Sequence, residues 1–194
     1  MDIATVSKNF EERKDLVDRA LKIGPLPDGF FYWNQCQDTL FKQNRYYDAG
    51  IAFIEMQTGE NLNLSEKTIQ QLKSQKTIDF VGSHNLISDL QSYWVKAKVD
   101  ISEMGNVLEC IFSGSGGYEN QYGKRQSLVK RTMSMNGVVE NGMIKATSTN
   151  GDHSSYLILR IGKYIVLLDK ERPTFDAAGK FIPMPLTDCL FLVE

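Results

Sequence analysis

Residues 125–168 read RQSLVKRTMSMNGVVENGMIKATSTNGDHSSYLILRIGKYIVLL. Three Asn-Gly pairs punctuate them: Asn136-Gly137, Asn141-Gly142 and Asn150-Gly151. An Asn-Gly pair accepts positive φ at both central residues of a type I′ turn, whose twist matches that of a β-hairpin. Segments of strand length lie between them, near 126–135, 138–140, 143–148, 155–161 and 163–169, and Ile161-Gly162-Lys163 supplies a further tight turn. The run predicts an antiparallel meander, and the rest of the chain is read outward from it.

Immediately upstream the pattern has period two. Val95, Ala97, Val99 and Ile101 alternate with Lys96, Lys98 and Asp100, as on a half-buried strand. Val107–Phe112 is a short apolar run, and Ser113-Gly114-Ser115-Gly116-Gly117 predicts its end and a loop to about Lys124. Downstream, residues 173–180 read as a loop. Leu186–Val193 closes the chain as a strand whose Leu190-Phe191-Leu192-Val193 predicts burial on both faces.

The N-terminal half has a different period. Val6, Phe10, Val17 and Leu21 form the stripe of an amphipathic helix over 6–23, ended by Gly24 and Pro25. Residues 25–29 make a connector into four aromatics, Phe30, Phe31, Tyr32 and Trp33. Leu40, Tyr47, Ile51 and Ile54 place a helix over 38–57 with Asp38 as N-cap, a hairpin turning at Asn44-Arg45 being the alternative. Thr58–Asn61 ends it. Ser65 reads as the N-cap of a short helix that buries Ile69 and Leu72. Thr77–Val81 reads as a brief strand, and Leu86, Leu90 and Trp94, four apart, as one more helix after Asn85.

The fold class expected is α+β: N-terminal helices packed on a C-terminal antiparallel sheet, strongly curved or closed into a β-barrel of seven to eight strands. A chain of 194 residues suits a single domain, with residues 1–90 mainly helical and 91–194 the meander. The order of helix, aromatic-rich entry and meander resembles lipocalin-like barrels in outline. That family places glycine two residues before tryptophan, whereas Gly29 and Trp33 stand four apart, and residues 34–90 have no counterpart there. The family is therefore not assigned.

Composition narrows function. With 42% hydrophobic and 24% charged residues, the chain can bury a sizeable core. A net charge of −2 argues against a dedicated nucleic-acid binder. The start, MDIATVSKNFEERKDL, lacks the apolar region of a secretory signal, and no run is long enough to cross a bilayer as a helix, so a cytoplasmic protein is expected. Cys36, Cys110 and Cys189 are far apart and odd in number, and read as small buried hydrophobes.

The chemical motifs are weak. The glycines of 114–117 do not make a P-loop: Gly117 and Gly123-Lys124 are separated by five residues, and Arg125 holds the Ser/Thr position. Only His84 and His153 can act as imidazole bases. A hydrolase or transferase would need His153 to meet a cysteine or serine in space, since chain neighbours such as Asp152 and Ser154 point away from it. No metal-ligand spacing is present and no cofactor is expected.

What remains is binding. Residues 113–125 combine four glycines with Tyr118, Tyr122, Lys124 and Arg125, a composition suited to adaptable contact. Lys124, Arg125, Lys130 and Arg131 form the densest basic run, but strand alternation divides it between two faces. The leading expectation is a non-enzymatic protein-partner binder of inhibitor, immunity or adaptor type, contacting its partner through Tyr118, Tyr122, Lys124, Arg125 and Arg131. The alternative is a carrier of a small apolar ligand, with Trp33, Met133 and Met135 lining a cavity inside the barrel.

Overall fold

The structure, a computed structural model, describes residues 40–89, 96–116, 129–149, 155–170 and 188–193. The expected 6–23 helix, the 25–33 connector and aromatics, Asp38, most of the 113–125 loop, Asn150-Gly151 and His153 lie outside these residues. The chain divides into two units, Met1–Leu72 and Lys73–Glu194.

In the first unit, α1 (Tyr46–Thr58) realises the helix expected over 38–57. Residues 40–42 are also helical, and the chain turns at Asn44, whose φ is +54°. Asn44-Arg45 is therefore a joint between helical segments and not the tip of a hairpin. Gly59 ends α1 in the left-handed conformation (φ +71°), donating its N–H to the Glu55 carbonyl. Tyr47 through Glu55, Asp48 aside, are buried around most of the helix circumference. Glu55, buried among them, accepts the Leu62 N–H at 3.0 Å, which satisfies one carboxylate oxygen. The second helix, α2 (Glu66–Leu72), is capped by Ser65 as expected: its hydroxyl oxygen accepts the Thr68 N–H. Ile69 is buried and Leu72 only half-buried.

The second unit is a closed antiparallel barrel. Its strands are β1 (Gly82–Asp89), β2 (Lys96–Met104), β3 (Val107–Gly116), β4 (Val129–Glu140), β5 (Met143–Ser148), β6 (Ser155–Ile161), β7 (Tyr164–Asp169) and β8 (Cys189–Val193). Each pairs with its neighbours in chain order, and β1 with β8 closes the ring, with a register shift between Leu86 and Ser88. The α+β class and the eight-stranded count agree with the sequence reading.

Four local expectations are corrected. Residues 77–81 form a 3-10 turn (Thr77–Asp79) in place of a strand. Residues 82–89 are β1 in place of the start of a helix. Ser113–Gly116 continue β3, held on one side by Lys96–Lys98 and on the other by residues 129–132. Asn136-Gly137 lies inside β4, not at a turn. A Cβ at Gly137 would stand 2.5 Å from Ile144 Cγ2 and 2.7 Å from the Lys145 carbonyl oxygen, so glycine serves close approach between β4 and β5. Asn141-Gly142 is a turn as expected, with φ of +53° and +71°.

The two ends of the barrel differ. At one end the links are two residues long, at Gly105-Asn106, Asn141-Gly142 and Gly162-Lys163. The links at the other end run through residues 90–95, 117–128, 149–154 and 170–188. The short-link end is closed by the 3-10 turn. Phe80 is fully buried in the same core as the lumen side chains, and the His84 imidazole donates through Nε2–H to its carbonyl at 2.9 Å. Arg160 donates through its guanidinium to the Asp79 carbonyl.

Lumen and exterior alternate as the period of two dictates. Ala97, Val99 and Ile101 of β2 face Cys110 and Phe112 of β3 in one buried core with Ile158, Ile165 and Phe191. The strands β6 and β7 are apolar at nearly every position and buried on both faces. In β8, Leu190 and Phe191 are buried but Leu192 is 38% exposed, so two-faced burial covers only part of the expected run.

Candidate functional site

Two surfaces of the barrel compete as the site: its lumen and its outer face. Among the described residues the lumen is lined by one continuous buried core. Phe112 of β3 and Phe191 of β8, with β1 and β2 between them around the ring, meet edge-on with centroids 6.1 Å apart and planes at 76°. Such a pair adds about 0.5–1.5 kcal/mol beyond its area burial. Met133 and Met135 are 5% and 0% exposed within this same core, which places both proposed lining residues on the lumen side. Trp33 lies outside the described residues.

Lumen chemistry is also restrained. Burial, helped by the Glu109 charge, pushes the Cys110 thiol up to about 12, so the nucleophilic thiolate is scarce at neutral pH. Cys189 is buried as well. Among the described residues no group of three or more His, Cys, Asp or Glu side chains is placed to hold a metal ion. Polar side chains gather at the long-link end of β5 to β8: Ser148, Asp169 and Asp188 are all buried, and the Asp188 carboxylate accepts the Asp169 N–H at 2.7 Å.

The outer face offers an open trough of about 310 Å³ on β1 to β4, lined by Asn85, Lys96, Lys98, Ser113, Ser115, Lys130 and Thr132 with backbone of Ala97 and Gly114. Strand register builds it. One row across three strands reads Lys96–Ser115–Lys130, and the next reads Lys98–Ser113–Thr132. Neighbouring strands lie about 4.8 Å apart, so each row spans roughly 10 Å. The middle strand contributes only Ser113, Gly114 and Ser115, and the flanking strands contribute long lysines. The trough is the height difference between them.

Its electrostatics are unbalanced. Lys98 pairs with Asp100 at 2.7 Å, and Ser83 donates to the same carboxylate at 2.5 Å. The Lys98 hydrogen bond and then that from Ser83 hold Asp100 below its ordinary value of 3.8. Lys96 and Lys130 have no acidic partner among the described residues. Outward positions of β2 and β4 also carry Ser102, Ser134 and Asn136, the reverse of a lipid-facing strand. No helix among the described residues is long and apolar enough to cross a membrane.

Of the binding residues read from the sequence, Tyr118, Tyr122, Lys124 and Arg125 lie outside the described residues. Arg131 pairs with Gly114. Its side chain is outside the described residues, and it is not among the residues lining the trough. The sequence did not reveal Lys96, Lys98, Ser113 and Ser115 as one site with Lys130, because only the β2–β3–β4 register joins them. The available signal was a run of small residues, 113–116, falling between two lysine-bearing strand patterns. No family model, curated protein or solved structure matches the chain.

Proposed function

We propose that this chain is a non-enzymatic binding protein of the inhibitor, immunity or adaptor kind, acting in the cytoplasm and docking on an acidic surface of a protein partner. The barrel is its scaffold, and the outer face of β2, β3 and β4 is its contact surface. The observation that carries this reading is the lysine-flanked trough of about 310 Å³, the lower end of the range for ligand-sized sites. It lies on β3 and β4, the strands joined in sequence by residues 117–128, which include Tyr118, Tyr122, Lys124 and Arg125. Packing of Phe112 on Phe191 supports a scaffold role for the lumen over a carrier role.

The test compares two baits from the source cell, the native protein and a Lys96→Glu/Lys98→Glu/Lys130→Glu variant. All three positions are exposed; at Lys96 and Lys130 a substitution changes stability by about 0.5 kcal/mol or less, and because Lys98→Glu also breaks the pair with Asp100, folding of the variant is checked by circular dichroism. A partner held by the native bait, lost from the variant and released by salt is the expected result. A partner held equally by both would refute this face as the contact surface. A native bait that releases an apolar small molecule on denaturation, detected by mass spectrometry, would favour the carrier reading.

A further inference from the structure

We infer that the trough is a phosphate-monoester site, an inference that rests on the binding reading above and names the group the partner presents. Four features point to that chemistry. The polar groups of the lining are lysine ammoniums, Ser/Thr hydroxyls and the Asn85 amide, all able to donate to the oxygens of a tetrahedral anion. The donors are arranged around a centre: Lys96 and Lys130 flank Ser115 from opposite strands, so an anion set over Ser115 is approached by two cations from two sides and by a hydroxyl from below. Lys98, Ser113 and Thr132 form a second row on the same face, two residues further along each strand, and also line the trough.

Charge is the third feature. Lys96 and Lys130 repel one another across β3 with no acidic partner among the described residues, and Lys98 adds a third cation whose charge is shared with Asp100. A dianion relieves that repulsion more than a monoanion does. The fourth feature is extent. The row beyond Lys98 holds Ser83, Asp100, Ile111 and Ser134, and the row after it Ser102, Glu109 and Asn136, so among the described residues the positive zone ends after two rows on that side. A nucleic-acid backbone needs a longer basic track. A single phosphate group does not. The trough also has more room than one bare tetrahedral ion fills, which leaves space for the atoms that carry the ester.

Asp100 gives the site a built-in competitor. It holds Lys98 at 2.7 Å, so a ligand must share or displace that contact. Removing the carboxylate therefore strengthens binding, whereas removing lysines weakens it. A merely structural role for these residues would not produce this pair of opposite effects.

The experiment is a titration of the full chain, 15N-labelled, with capped O-phosphoserine, capped O-phosphotyrosine, inorganic phosphate and capped glutamate, read at the backbone amides of 96–98, 113–115 and 130–132. Saturable shifts with the two phosphoamino acids, weaker ones with inorganic phosphate and none with glutamate are expected. Lys96→Gln/Lys130→Gln should weaken the phosphoamino-acid affinity about tenfold, Asp100→Asn should raise it, and added salt should weaken it. Inorganic phosphate binding as tightly as the esters would overturn the monoester assignment. Glutamate binding equally, or the Lys→Gln variant binding unchanged, would overturn the phosphate site altogether. If the native bait captures a partner that the charge-reversed bait loses, yet no phosphate probe binds, the binding reading stands and this inference alone falls.

Discussion

Replacing Gly137 by alanine separates two accounts of one dipeptide. The new Cβ would stand 2.5 Å from Ile144 Cγ2, 2.7 Å from the Lys145 carbonyl oxygen and 3.0 Å from Ala146 Cα. Carbon–carbon contacts are comfortable at about 3.5–4.0 Å, so the methyl is roughly 1 Å too close to its first neighbour. Ile144 is fully buried, and two of the three obstacles are backbone, so β4 and β5 must separate. Overpacking of this kind costs about 1–3 kcal/mol, here at the upper end. Alanine recovers about 0.4–1 kcal/mol by reducing the freedom of the unfolded chain. The net loss is about 2 kcal/mol, or about 4–8 °C in Tm for a chain of this size. Urea unfolding followed by circular dichroism measures it. A variant as stable as the native protein, or more so, would refute the close approach of the two strands and restore Asn136-Gly137 as a candidate turn.

Phe112→Leu and Phe191→Leu should each destabilise the barrel, and the double variant should lose about 0.5–1.5 kcal/mol less than the sum of the two, a coupling measured by a thermodynamic cycle in urea. Arg160→Met should cost about 1–3 kcal/mol, because the Asp79 carbonyl loses a charged donor, and should accelerate hydrogen exchange near Phe80 more than in β4. For Asp100 the folded value is depressed, so its contribution is present above the ordinary value of 3.8 and fades as pH falls through the lowered one. Lys98→Gln should move the Asp100 titration, followed by carboxyl-carbon NMR, back up toward that value. Any stability difference between this variant and the native protein should vanish in acid, and a difference that grows in acid would contradict the pairing.

The fold was legible where one pattern admitted one structure. Ala97, Val99 and Ile101 alternate over a stretch that no helix could bury, and they became β2. Asn141-Gly142 had strand patterns on both sides and became the turn it promised. Asn136-Gly137 carried the same local signal, but pairing along β3 and β5 outweighed it. The spacing of four from Leu86 misled for a geometric reason: it suits a helix face, and as an even number it suits a strand equally, and Leu86 lies in β1. The glycines of 113–116 weaken a strand taken alone, yet two ladders hold them in place. The trough was hidden for a further reason. Lys96, Ser115 and Lys130 are distant in the chain, and their adjacency exists only once the register is known.

Closure of the ring by β1 and β8 also shapes how the barrel forms. Each of the other pairings joins strands consecutive in the chain, so a curled sheet from β1 to β7 can grow hairpin by hairpin from local contacts. The contact of His84 with Val193 closes the largest loop of any strand pairing and so carries the largest closure entropy. Until β8 docks, both β1 and β7 present open edges, and a free β8 segment is a matching strand for either. At high protein concentration that strand can be supplied by a second molecule. The barrel therefore carries a route to strand-exchanged dimers that its finished, edgeless form conceals.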